Sequence, residues 1–221
     1  MLSALIIEAK GGNVKNTIKV QCNGHLLDGI LRIPDDVKEI VLFAHGSGSS
    51  RFSPRNNFVA DILYENHLAS LLIDLLSQQE DEVYQTRFDI DLLTERLIAV
   101  IRWLQEQPET KNLKIGLFGA STGAAAALQA AALMKDEICA VVSRGGRPDL
   151  AMEKLPLVTA PTLLIVGGND FGVIELNQSA YKRLRGTKKI EIIAGATHLF
   201  EEAGCLEEVA KLSTAWFQKH A

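Results

Sequence analysis

The sequence predicts an α/β domain with a mostly parallel central sheet, an antiparallel N-terminal edge and helices on both faces. Three observations carry that expectation. Beyond Pro34, short apolar runs recur without polar alternation, as strands covered on both faces require. Between them lie segments with helical period, and the alternation of the two textures is that of a doubly wound domain. Before Pro34, apolar stretches are separated by the turn signals KGGN and CNGH, which read as an antiparallel meander.

Taken in order, the meander is expected over residues 4–9, 17–22 and 26–33, and buried strands over 39–44, 68–75, 113–118, 138–143 and 162–166, with a last short strand at 190–193. In residues 89–107, Ile90, Leu93, Leu97, Val100, Ile101 and Leu104 fall on one stripe, as a helix covering a sheet requires, and Pro108 stops it. Residues 122–134 are rich in alanine, the best helix former. Residues 173–184 and 201–219 are helical in pattern, and 58–65 more weakly so. The 221 residues suit one domain, residues 1–221, without a sizeable lid, because no loop holds an added helical subdomain.

Composition narrows the function. Hydrophobic residues make up 47% and charged ones 23%, an ordinary globular balance. The net charge is -4 and no polybasic tract occurs, so neither nucleic acid nor a membrane surface is an expected partner. No apolar run approaches the roughly 18 residues that cross a bilayer. Residues 1–10 show no basic region before an apolar stretch and no small-residue cleavage site, so no secretory signal is expected, and Cys22, Cys139 and Cys205 form no CxxC pair. A reducing cytoplasm, no disulfide framework and no metal site are the expectations.

The strongest local signal is Gly119-Ala120-Ser121-Thr122-Gly123, which matches G-x-S-x-G between an expected strand and an expected helix. A serine on such a turn is lifted clear of the sheet, and the helix N-terminus aims unpaired N–H groups at a developing oxyanion. Its hydroxyl needs a base. Of the histidines after Ser121, His220 sits at the chain end as an expected frayed tail, whereas His198 lies in AGATHLF, between the last strand and the last helix. The acid is expected at Asp170, which ends TLLIVGGND at the C-terminal end of a parallel strand, with Asp149 in SRGGRPDL as its competitor.

A second glycine-rich loop, AHGSGSSRFSPRN, follows the strand ending at Ala44. Acyl transfer needs two backbone donors at the attacked carbonyl, and these are expected from Thr122 and Ser47. His45 is expected to shape the turn. The loop lacks the Gly-Lys-Ser/Thr ending of a phosphate-binding P-loop, which argues against nucleotide binding. Arg51, Arg55, Arg87, Arg144 and Arg147 fall in loops expected at the strand C-termini, and Arg51, Arg144 and Arg147 are the candidate forks for an anionic substrate.

Together, AHGSGSS, GASTG, VGGND and ATHLF resemble the dienelactone hydrolase-like branch of the α/β-hydrolase superfamily over nearly the whole chain after Ile30. The resemblance implies an α/β-hydrolase fold, a triad of Ser121, Asp170 and His198, an oxyanion hole from the Ser47 and Thr122 amides, and cofactor-free hydrolysis of an ester or lactone. Dienelactone hydrolases carry a cysteine nucleophile where this chain has Ser121, which points to a general carboxylesterase. A thioesterase, peptidase or acyltransferase could run on the same triad, and a non-catalytic module binding a small acid is the rival from another class.

Overall fold

A computed structural model of the chain describes residues 15–220. The expected strand over 4–9 lies outside the described residues. The described elements are β1 (Asn16–Cys22), β2 (His25–Arg32), β3 (Glu39–Ala44), α1 (Pro54–Glu65), β4 (Ala69–Ile73), the single turn α2 (Gln78–Asp81), α3 (Ile90–Glu106), β5 (Lys114–Ala120), α4 (Thr122–Met134), β6 (Ile138–Arg144), β7 (Thr162–Gly167), α5 (Phe171–Arg183), β8 (Lys188–Ile193) and α6 (Cys205–His220). The described strands form one sheet in the order β1-β2-β4-β3-β5-β6-β7-β8. β1 pairs antiparallel with β2 and β2 antiparallel with β4; from β4 to β8 every pairing is parallel.

The apolar runs explain the centre of this order. Every residue of β3, β4 and β7 is buried, and β5 is buried after its first residue, so these strands sit between two helical layers. One layer holds α3, α4 and α5 over Leu42, Leu71, Leu117 and Val141. The other holds α1 and α6 over Val41, Phe43, Phe118 and Val142. Each fully buried Leu or Phe of this kind contributes about 2 kcal/mol of transfer free energy. The stripe expected in 89–107 is the buried face of α3, capped at its start by Asp89, whose carboxylate accepts the Leu92 N–H.

Helix α4 shows why alanine is needed there beyond propensity. Every residue in it except Leu133 is buried, because the helix is wedged between the sheet and α3. Methyl side chains are what such close approach allows. At the opposite end of the molecule from the chemistry, α6 runs to His220, whose ring packs on Trp216 at 4.5 Å between centroids. His220 therefore closes a helix and is not a frayed tail.

Candidate active site

The turn after β5 is strained in the way a nucleophile elbow requires. Ser121 has φ 50° and ψ -121°, a conformation that L-residues rarely adopt. Its neighbours leave no room for side chains. A Cβ on Gly119 would lie 2.4 Å from the Ala124 Cα, and one on Gly123 would lie 2.2 Å from the Ala44 carbonyl oxygen. Backbone bonds lock the turn: the Ser121 N–H donates to the Arg144 carbonyl at 3.2 Å, and the Ser121 carbonyl accepts the Arg147 N–H at 3.0 Å. Strain of this kind persists only when its surroundings over-determine it.

Asp170 follows β7 and stands at the N-cap position of α5, but makes no side-chain cap bond. Its carboxylate instead accepts the Nδ1–H of His198 at 2.6 Å, a charge-assisted length. This fixes the imidazole tautomer and leaves Nε2 as the proton acceptor. The loop carrying His198 is braced on both sides. Thr197 donates its N–H and its hydroxyl to the Glu202 carboxylate, at 3.1 and 2.6 Å. Those bonds hold the Glu202 carboxyl below its ordinary range. Asn169 donates its backbone N–H to the Ala196 carbonyl at 2.9 Å and its side-chain amide to the Gly195 carbonyl at 2.9 Å.

The loop after β6 borders both halves of the constellation, Ser121 through backbone bonds and His198 through Gly145. A Cβ on Gly145 would lie 3.5 Å from the His198 Cε1. No direct hydrogen bond joins the Ser121 hydroxyl to His198 among the described residues, and such bonds are often long in unliganded sites. Asn177 on α5, fully buried, donates to the Gly146 carbonyl at 3.0 Å and fixes this glycine pair from below.

The loop after β3 borders Ser121. A Cβ on Gly46 would lie 3.0 Å from the Ser121 Cβ. The His45 ring is consumed in shaping the turn: Nδ1–H donates to the Gly46 carbonyl at 3.0 Å, and Nε2 accepts the Leu75 N–H at 3.3 Å. The Ser47 N–H, expected to face an oxyanion, donates to the Thr122 side-chain hydroxyl at 2.9 Å. An oxyanion there would share that amide with Thr122. Beyond the loop, a cavity of about 300 Å³ opens between His45, Ser49, Ser50, Arg51, Asp74 and Ser77.

The arginines differ from expectation. Arg51 pairs with Asp74 and lies 3.9 Å from Asp28. Arg147 makes a two-pronged pair with Asp149 at 2.9 and 2.8 Å. That pair also removes Asp149 from contention as the triad acid. Arg55 meets Glu201 at 2.8 Å and Arg87 meets Asp81 at 3.0 Å. Arg144 is buried and donates to the Asn56 side chain at 3.0 Å. Neither Arg51 nor Arg147 is an unengaged fork at the mouth, and Arg144 does not reach the surface; local carboxylates and burial claim them first. Sequence reasoning also missed Glu202, Asn177 and the side chain of Thr122. No motif carries the first two; Thr122 was legible only as a backbone donor. Among the described residues, no three His, Cys, Asp or Glu side chains converge as a metal ligand set, and no helix is long and apolar enough to cross a membrane.

The sheet order, with a strained serine between β5 and α4, defines an α/β-hydrolase fold. The model of the dienelactone hydrolase family matches residues 57–217, and the chain belongs to that family. It is similar to the crystal structure of a dienelactone hydrolase from Anabaena variabilis, with 52% identity and a TM-score of 0.91 over 94% of this chain and 98% of that one. An alpha-beta serine hydrolase homologue from Coxiella burnetii shares the fold at 18% identity, with a TM-score of 0.77 over 90% of this chain and 96% of that one. A Mycobacterium tuberculosis protein provisionally named a phosphoribosyl transferase is 55% identical over 192 residues, 87% of this chain. The chain spans 43% of the length of that relative.

Proposed function

We propose that this protein is a serine hydrolase acting on small carboxylic esters or lactones through an acyl-enzyme on Ser121. The observation that carries the reading is the 2.6 Å bond from His198 to Asp170 in the loops flanking a serine held at φ 50°. In the cycle, His198 Nε2 takes the hydroxyl proton as the Ser121 oxygen attacks the carbonyl carbon. The Thr122 and Ser47 amides receive the oxyanion. The tetrahedral intermediate collapses, the bond to the alcohol breaks, and His198 returns the proton to the leaving oxygen. Water, deprotonated by His198, then attacks the acyl-enzyme and frees the acid.

A serine in place of the family's cysteine suits oxygen esters of small acids, and the locally paired arginines suit neutral substrates. No cofactor takes part in these steps. A small-molecule substrate, rather than nucleic acid or a membrane, and a cytoplasmic setting fit the composition. The name phosphoribosyl transferase describes a relative more than twice as long as the part matched here. An active-site-directed fluorophosphonate tests the reading: labelling at Ser121 that disappears in Ser121→Ala is expected, with turnover of short esters. Absence of labelling at neutral pH, with no ester, thioester or amide turned over, would leave a binding module instead.

A further inference from the structure

One buried charge has no opposite. Among the described residues, Arg32, Arg51, Arg96 and Arg147 each meet a carboxylate. Arg144 is only 5% exposed and meets the neutral amide oxygen of Asn56, at 3.0 Å. The nearest charge, Arg55, has the same sign and is engaged with Glu201. Burial and Arg55 pull the Arg144 guanidinium down to about 10, so it remains charged at neutral pH. A desolvated and unpaired cation costs stability, and such groups persist mainly where they serve a site.

The position of Arg144 supplies the use. It ends β6 beside Ala120, and its carbonyl receives the Ser121 N–H. Its guanidinium carbon stands 5.9 Å from the centre of the Phe200 ring, two residues beyond His198. Asn56 lies in the first turn of α1, which continues directly from the loop after β3. The residue after Arg144, Gly145, packs against the His198 loop: a Cβ there would lie 3.2 Å from the His198 carbonyl oxygen. The Arg144 side chain therefore meets α1 at Asn56 and the segment after His198 at Phe200, while its backbone carbonyl holds the nucleophile elbow.

We infer that Arg144 is a positioning residue for the hydrolysis proposed above: a buried cation that fastens the segment after His198 and α1 to the nucleophile elbow. The inference rests on the serine-hydrolase reading. Drawing the guanidinium onto α1, or removing it, loosens its hold on the segment that carries His198. The charge that acts on Arg144 is Arg55 from α1, itself engaged with Glu201.

Asn56→Asp supplies the missing carboxylate at almost constant size. The melting temperature is expected to rise by about 3 °C, while kcat falls about tenfold with KM within about twofold. Arg144→Gln, which removes the guanidinium, lowers kcat in the same way. Arg144→Lys, which keeps the charge, recovers part of kcat. A more stable Asn56→Asp with unchanged kcat would make the charge purely structural and overturn the inference; so would a less stable one, since Arg144 would then not lack an anion. If Arg144→Gln fails to fold, the other two variants decide. A readout independent of turnover is the downfield NMR line of the His198 Nδ1–H, expected to broaden in Asn56→Asp, where an unaltered line argues against positioning. Failure of the wild type to label with fluorophosphonate would sink the hydrolase reading alone, because that line still reports on Arg144.

Discussion

The Ser47 N–H donates to the Thr122 hydroxyl at 2.9 Å, fastening the loop after β3 to the first residue of α4 across 75 positions of sequence. The bond sets the distance between the two amides assigned to the oxyanion. Thr122→Val keeps the shape of the side chain and removes the acceptor. Its kcat for a short ester is expected to fall about tenfold, at little change in KM, and Thr122→Ser is expected to retain most activity. A Val variant as fast as the wild type in steady-state kinetics would separate this tether from catalysis.

The strain at Ser121 predicts a trade of stability against activity. Glycine adopts a positive φ without the steric penalty a side chain pays. Ser121→Gly is expected to be inactive and to gain about 1 kcal/mol in urea unfolding. A loss of stability would mean that the serine side chain contributes more to the fold than its backbone costs.

The paired arginines predict the substrate preference. Arg51 and Arg147 hold Asp74 and Asp149. Substituting either by Ala is expected to change the ratio of kcat/KM for carboxylate-bearing over neutral esters by less than about threefold. A collapse of that ratio in one variant would restore the arginine to the substrate.

A fourth prediction concerns the other end of the sheet. Glu39 opens β3 and is 1% exposed; its carboxylate accepts the Cys139 thiol at 3.2 Å, and its second oxygen has no partner. Burial raises its carboxyl to about 7, partly offset by the Cys139 bond and by Lys114, and burial beside Glu39 raises the Cys139 thiol in turn. The folded state therefore keeps a proton that the unfolded chain releases above about 4.5. Stability falls as pH rises from about 4.5 to about 7 and levels off above it, by about 3 kcal/mol in all. Relative to wild type, Glu39→Gln is expected to gain that amount between pH 4 and pH 8. Parallel pH dependences of the urea midpoints would show that Glu39 titrates normally.

Much of this architecture was legible in the chain. The unalternated runs gave β3 to β7, and the expected helix over 122–134 coincides with α4. What escaped depends on contacts distant in sequence. The turn CNGH marks the β1–β2 hairpin, but nothing local says that β2 pairs next with β4 and not with β3. The short helix α2 carries a readable signal, Ser77 with Glu80 three residues on, and forms a capping box; its single turn has no hydrophobic period to flag it. Among the arginines, Arg147 could be matched to Asp149 from spacing alone. Arg144 and Asn56 are separated by 88 positions and meet only once the sheet has formed.

The burial of α4 and the exposure of the His198 loop divide the molecule by endurance. Ser121 is anchored to a helix that cannot open without dissolving the core. The imidazole, 38% exposed, rides on a segment held by a few surface bonds. On warming, the imidazole loop is expected to come loose while the sheet is still whole, so the proposed hydrolysis would decline ahead of the cooperative melt and return on cooling.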